Sequence, residues 1–212
     1  MGFATAIPND FLKWFHSGAA RTLVNTHSHQ RELESIGIQN LKIWNRAIDK
    51  SIFRPIISEE LDPYYLYVGR VSREKNLEAF FSLDLDLPKV VVGEGPQLKE
   101  YKKKFSEVNF IGYKFGDELA EIYSNARVKV FPSLTDTFGL VMLEANACGT
   151  PVAAYPVTGP IDVISSGLNG YYDQDLKNAI EKASSVDRTS CFDFADQYSW
   201  DNVAKQFLDT LE

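Results

Sequence analysis

Short apolar runs alternate with stretches of helical period through the middle of the chain. YYLYVG (64–69), KVVVG (89–93), VNFI (108–111), VKVFP (128–132) and PVAAY (151–155) are brief, mostly unbroken and rich in β-branched or aromatic residues. That is the pattern of strands covered on both faces. Between them, residues 76–83, 96–105, 115–124 and 138–148 carry helical spacing. Strand–helix alternation at this interval predicts right-handed βαβ units and a Rossmann-like, doubly wound parallel α/β sheet. Ligands of such sheets bind at the carboxyl ends of the strands.

The flanks are less regular. Residues 21–44 read as one further unit: a strand in RTLVN, a helix over 29–35 and a strand in NLKIW. Residues 45–63 show little periodicity and end in Leu-Asp-Pro, which predicts a linker. From Gly170 the tail is helical in character, and WDNVAKQFLDTL (200–211) is strongly amphipathic.

Composition narrows the class. The 212 residues fit one domain with added elements, or two small ones. A net charge of −7 opposes binding to a phosphate backbone, so nucleic acid is not an expected partner. No apolar run reaches the roughly 20 residues of a membrane span, and MGFATAIPNDFLKWF lacks the basic start of a secretory signal. Two scattered cysteines, Cys148 and Cys191, point to a reducing cytoplasm. The basic run Lys102–Lys104 reads as a solvated helix face, with peripheral contact to an anionic inner membrane surface as its alternative. His27-Ser28-His29 matches no zinc motif and reads as the start of a helix.

Three segments carry candidate chemistry. In Gly69-Arg70-Val71-Ser72-Arg73-Glu74-Lys75-Asn76, Gly69 allows a turn off the sheet, and Asn76 suits a helix N-cap with Glu78 behind it. Arg70 and Lys75 then sit on a loop at the carboxyl edge, where two cations can neutralise a diphosphate. In FPSLTDTFGLVMLEANACGTPVAA (131–154), a helix opens near Phe138-Gly139 and closes at Gly149. Asp136 precedes that helix and Glu144 interrupts its apolar run; helical rise throughout would separate them by about 12 Å. In Val91-Val92-Gly93-Glu94-Gly95-Pro96, two glycines let backbone approach a ligand, with Pro96 at the first helical position. The chain lacks the GxGxxG dinucleotide fingerprint.

GRVSREKN, VVGEGP, NFIGY and PSLTDTFGLVMLEANACGTPVAA, in this order, closely resemble the nucleotide-sugar-binding domain of GT-B glycosyltransferases of family 4, the glycosyl transferases group 1. The TDTFGLV variant is most similar to GDP-mannose-dependent mannosyltransferases and to sulfolipid-type sugar transferases. The likeness covers residues 64–170 well and extends to LVNTHSHQREL, NLKIWNRAIDKSIFRP and SWDNVAKQFLDTL. It implies a remnant of the acceptor domain and a linker over 1–58, a donor-binding domain over 59–170 and terminal helices over 171–212 that pack back across the cleft.

By this resemblance Arg70 and Lys75 hold the donor's diphosphate and stabilise the leaving charge without metal or cofactor. Glu144 binds the ribose hydroxyls, and Asp136 with the amides of Phe138, Gly139 and Leu140 holds the transferred sugar and phosphate. Gly69, Gly93 and Gly95 line the donor site, and the nucleobase lies near Ile111, Gly112 and Tyr113. The implied reaction is retaining hexosyl transfer from a GDP- or UDP-linked sugar to a glycan or lipid acceptor, with most of the acceptor domain lying outside this sequence. The family usually has glutamate where Asp136 stands and glycine where Ala47 stands. Asp84-Leu85-Asp86 and Asp173-Gln174-Asp175 spell the DxD of metal-dependent transferases, but such triplets recur by chance. A truncated, non-catalytic nucleotide-sugar-binding protein is the rival reading, since it needs the same Arg70, Lys75 and Glu144.

Overall fold

The computed structural model describes residues 9–56, 62–136 and 138–211. The first unit consists of α1 (Asn9–His16), β1 (Thr22–Val24), α2 (His27–Ser35) and β2 (Leu41–Ile43). β1 and β2 pair in parallel, and Val24, Ile38 and Leu41 form a small core beneath α2. The Thr26 side chain caps α2 by accepting from the His29 amide at 3.1 Å, so His27 and His29 occupy its first turn.

The main body runs β3 (Tyr64–Val68), α3 (Leu77–Phe81), β4 (Lys89–Val92), α4 (Leu98–Lys104), β5 (Asn109–Gly112), α5 (Gly116–Asn125), β6 (Ala126–Phe131), α6 (Leu140–Ala147), β7 (Val152–Ala154), α7 (Pro160–Val163) and β8 (Gly170–Tyr172). Helices α8 (Leu176–Ala183), α9 (Arg188–Ala195) and α10 (Trp200–Asp209) follow. The strands form one parallel sheet in the order β5-β4-β3-β6-β7-β8. This is the doubly wound arrangement, with its reversal between β3 and β6.

Alternation along each strand divides the core. Leu66, Val68, Val90 and Val92 face Leu119, Tyr123, Met142 and Leu143 of α5 and α6. Tyr65, Tyr67, Val91 and Val128 face Phe80, Phe81, Tyr101 and Ile180 of α3, α4 and α8 on the other side. Helix α6 is apolar nearly all round because it lies between the sheet and α9; Met142, Leu143, Ala145 and Ala147 are all fully buried. The buried amides of Asn146 and Asn169 bond to each other at 2.9 Å and to the backbone carbonyls of Thr150 and Val163, which satisfies polar groups that burial would otherwise penalise.

Four sequence expectations need correction. The tail from Gly170 does not begin as helix: Gly170–Tyr172 forms β8, an edge strand of the sheet, paired with Val152–Ala154. Asn76 is not a side-chain N-cap; it adopts φ 52°, ψ 37°, and its amide donates across to the Pro132 carbonyl at 3.1 Å. Pro96 precedes α4 rather than opening it, since the helix begins at Leu98. Helical structure between Asp136 and Glu144 starts only at Leu140, so the continuous helical rise behind the 12 Å separation does not apply.

Each acidic triplet has a carboxylate with a local partner. Asp86 accepts from the Tyr65 hydroxyl at 2.9 Å, and Asp175 caps α8 through the Lys177 amide at 2.9 Å. The expected boundary between residues 58 and 59 falls outside the described residues. Helix α10 returns to the first unit. The Trp44 indole donates to the Val203 carbonyl at 3.2 Å, its ring lies 5.3 Å from that of Phe207, and the Asn45 amide donates to Gln206. From the other side, the Ser28 amide donates to Asp162 at 3.0 Å. Among the described residues no helix is long and apolar enough to cross a membrane.

Candidate functional site

At the reversal, the chain leaves β3 for a helix on one face and leaves β6 for a helix on the other. The two loops diverge and leave a crevice, the usual ligand position of such sheets. A cavity of about 380 Å³ occupies it. Gly69, Arg70 and Lys75 enter from the loop after β3, and Asp136, Phe138, Gly139 and Leu140 from the loop after β6.

The loops are tied together before any ligand arrives. Lys75 Nζ lies 2.9 Å from Asp136 Oδ2, with both side chains mostly buried. The Asn76–Pro132 hydrogen bond runs parallel to it, and the Tyr67 hydroxyl donates to the Arg70 carbonyl at 2.9 Å. Among the described residues the Arg70 guanidinium makes no ion pair, and the side chain is exposed. Helix α6 opens on this cavity, where first-turn amides have no intrahelical acceptor. The Phe138 amide leans on Asp136 Oδ1 at 3.4 Å. Gly139 makes the turn at φ 75°, and a Cβ there would lie 2.6 Å from Met142 Cε.

A second cavity of about 570 Å³ continues the crevice toward β4 and β5, sharing Gly69 and Arg70 with the first. Glu144 reaches its wall from α6, opposite Gly93, Gly95, Tyr113 and Phe115. Tyr113 and Phe115 are 57% and 74% exposed, with nearly parallel rings 6.0 Å apart, and so offer aromatic surface to a flat ring. Glu144 Oε2 accepts from the Tyr123 hydroxyl at 2.9 Å. Burial raises the Glu144 carboxyl above the ordinary carboxylate range; the Tyr123 hydrogen bond and the nearby Lys129 ammonium oppose the rise. Burial and Glu144 push the Tyr123 hydroxyl well up, so it remains a donor.

Most of the residues expected at the site do converge on it. Gly69, Arg70, Lys75, Asp136, Phe138, Gly139 and Leu140 line the first cavity, and Gly93, Gly95, Tyr113 and Glu144 the second. Gly93 and Gly95 line the second cavity and have a further structural reason. A Cβ at either would fall 2.1–2.2 Å from a backbone oxygen, of Gly69 and Val71 respectively, so they let one loop lie against its neighbour. Ile111 packs against the core under α5, and the Gly112 carbonyl accepts from the Gly93 amide at 2.8 Å; neither lines the cavities.

Sequence reasoning missed Asn25 and Arg46, which reach the first cavity from the first unit. Each follows the carboxyl end of its strand, β1 or β2, and that position was the available signal. It also passed over Lys129, the buried one of two cations in β6, where Arg127 is exposed.

The family model of the glycosyl transferases group 1 matches residues 49–187, more than half of the chain. The chain belongs to this family. Among curated relatives, it is 31% identical over 173 residues to a GDP-mannose-dependent alpha-mannosyltransferase of Corynebacterium glutamicum, covering 76% of this chain and 42% of that protein. It is 32% identical over 178 residues to a sulfoquinovosyl transferase of Arabidopsis thaliana, covering 75% of this chain and 35% of the other. The chain thus spans less than half the length of these curated relatives.

Its fold is similar to HepE of Anabaena, solved with UDP-glucose, at a TM-score of 0.77 and 17% identity over 96% of this chain and 66% of that one. It is also similar to sucrose-phosphate synthase of Thermosynechococcus elongatus, at a TM-score of 0.79 and 23% identity over 96% of this chain and 60% of that one. The architecture, a mixed α/β fold with a parallel central sheet, matches GT-B glycosyltransferases, as the sequence resemblance implied.

Proposed function

We propose that the crevice at the sheet reversal binds a nucleoside-diphosphate sugar and that the chain supplies the donor-binding half of a retaining, metal- and cofactor-independent hexosyl transfer to a glycan or lipid acceptor. The observation that carries this reading is the convergence of Arg70 and Lys75 with the α6 N-terminus on one cavity, next to a second cavity walled by Glu144 and an aromatic pair. Three sources of positive potential aimed at one point suit a diphosphate. They suit a departing one better, because its charge grows as the glycosidic bond breaks, and fixed donors there stabilise the transition state.

In this reading Arg70 contacts the diphosphate directly, and Lys75 shares its ammonium between Asp136 and a phosphate oxygen. Asp136, so positioned, accepts from hydroxyls of the transferred sugar. Glu144 accepts from the ribose diol, its orientation set by Tyr123, and the base lies against Tyr113. The named relatives act with GDP-mannose or carry a sulfoquinovosyl transferase name, which supports a nucleotide-linked hexose as donor.

Calorimetry on the full chain with UDP and GDP tests the proposal. Micromolar binding is expected, unaffected by EDTA and weakened about tenfold by Arg70→Ala or Lys75→Ala. Failure to bind either nucleotide overturns the reading. Loss of binding in EDTA overturns its metal independence. Binding without hexosyl transfer, even when an acceptor domain from a relative is supplied, favours a sugar-nucleotide-binding protein over an enzyme.

A further inference from the structure

Lys129 lies on β6, yet none of its surface reaches solvent. The β3–β6 ladder stops at the Leu66–Lys129 pair, short of the end of β3 at Val68. Beyond it the Lys129 ammonium sits in the split, donating to the Val130 carbonyl at 3.1 Å and to the Val68 carbonyl at 3.5 Å. The rings of Tyr67 and Phe131 close over it at 5.0 and 5.4 Å. Val68, Tyr67 and Phe131 are themselves wall residues of the crevice, so this cation lies under its floor.

The charged and titratable groups around it are few. Glu144 faces it from α6, with the Tyr123 hydroxyl of α5 behind that carboxylate, and Lys75 and Asp136 face it from the two loops above. Apart from Lys75, every ionised neighbour is an anion. Burying an ammonium is costly, and a methionine of similar length would fill the same space without that cost. Two carbonyls accept from the ammonium, and the crevice above it has a further use for its charge.

We propose that Lys129 is a positioning residue of this site: its buried ammonium keeps Glu144 ionised for a ribose diol, and it takes up a proton from solvent when a diphosphate settles on the floor above it. The proposal rests on the donor-site reading given above. Its physical basis is simple. Burial draws the Lys129 ammonium down to about 7, so near neutral pH an appreciable fraction is uncharged in the empty site. A multivalent anion overhead favours the charged form and restores the proton to Nζ. Binding and proton uptake are then linked, and affinity falls as pH rises above neutrality.

The test is calorimetric titration of the full chain with UDP and GDP at about pH 8, where a terminal phosphate is fully ionised, in two buffers of different ionisation enthalpy. The wild-type chain is expected to take up close to one proton per nucleotide. Lys129→Met is expected to fold, to take up none and to bind about tenfold more weakly. Lys129→Arg, always charged, is expected to regain affinity without proton uptake. The side-chain nitrogen resonance of Lys129 gives a reading that needs no folded variant: its midpoint should move upward by about two pH units or more when UDP is added. Nucleotide binding by the wild type without proton uptake, or uptake that persists in Lys129→Met, overturns the role of Lys129 and leaves the donor site intact. Absence of nucleotide binding by the wild type overturns both.

Discussion

The rim and the floor of the crevice use the same chemistry in opposite settings. At the rim, Lys75 and Asp136 meet on loops, and Arg70 projects into solvent. On the floor, Lys129 and Glu144 lie on the central strand and on a buried helix, and burial shifts both toward their neutral forms. Arg70 can follow a ligand by changing rotamer, and water and salt screen it, whereas the mostly buried Lys75–Asp136 pair is screened less. Floor charges cannot move, and each depends on specific partners: two carbonyls for Lys129 and the Tyr123 hydroxyl for Glu144. The difference suggests a division of labour. On the proposed donor-site reading, the rim supplies attraction, and the floor supplies selectivity and pH response.

The sharpest way to break this comparison is to empty the rim. Arg70→Ala with Lys75→Ala should weaken UDP or GDP binding about 100-fold, and should flatten its dependence on ionic strength, since the floor is little screened. A second measurement separates the two regions by ligand. Glu144→Gln should weaken UDP about tenfold while leaving inorganic pyrophosphate nearly unchanged, because pyrophosphate has no diol. Equal loss for both ligands would merge the floor with the rim.

Smaller effects sharpen the floor itself. Tyr123→Phe removes the donor to Glu144 and should lower Tm by about 3–5 °C in thermal melts, the cost of one buried charge-assisted hydrogen bond. Smallest is a pH effect. Lys129 is drawn down to about 7 in the fold, against about 10.4 in an unfolded chain. Between those values the unfolded state binds more protons, so this group's contribution makes stability rise with pH across that window. Relative to Lys129→Met, the wild type should therefore gain melting temperature, by a few degrees, as pH rises from about 7 toward 10.

The sheet was largely legible in the sequence because five of its strands read as brief, mostly unbroken apolar runs. β8 was not, since three residues, Gly170–Tyr172, at an edge carry too little pattern to separate strand from the helical tail. Local rules also misjudged Asn76, whose amide serves a carbonyl 56 residues away rather than its own helix. The rim was visible because Arg70, Lys75 and Asp136 stand on loops whose glycines and helix starts mark them. Glu144 was visible because it interrupts an apolar helix. Lys129 interrupts an apolar strand just as plainly, but a lone lysine in a strand looks solvent-facing until the strand is known to be central. Asn25 and Arg46 come from another unit, and no spacing within the main body points to them.

The strand order also bears on how the molecule assembles. β3, β4 and β5 are consecutive neighbours and can pair as they are made, whereas β6 must return past both to reach the far side of β3. Pairing over so long a separation closes a large loop and is expected late in folding. Because Lys75 and Asp136 stand on opposite sides of that last seam, the crevice does not exist until the seam closes. In refolding experiments, competence to capture a nucleotide should lag behind helix formation, and ligand should protect the β3–β6 junction more than any other part of the sheet.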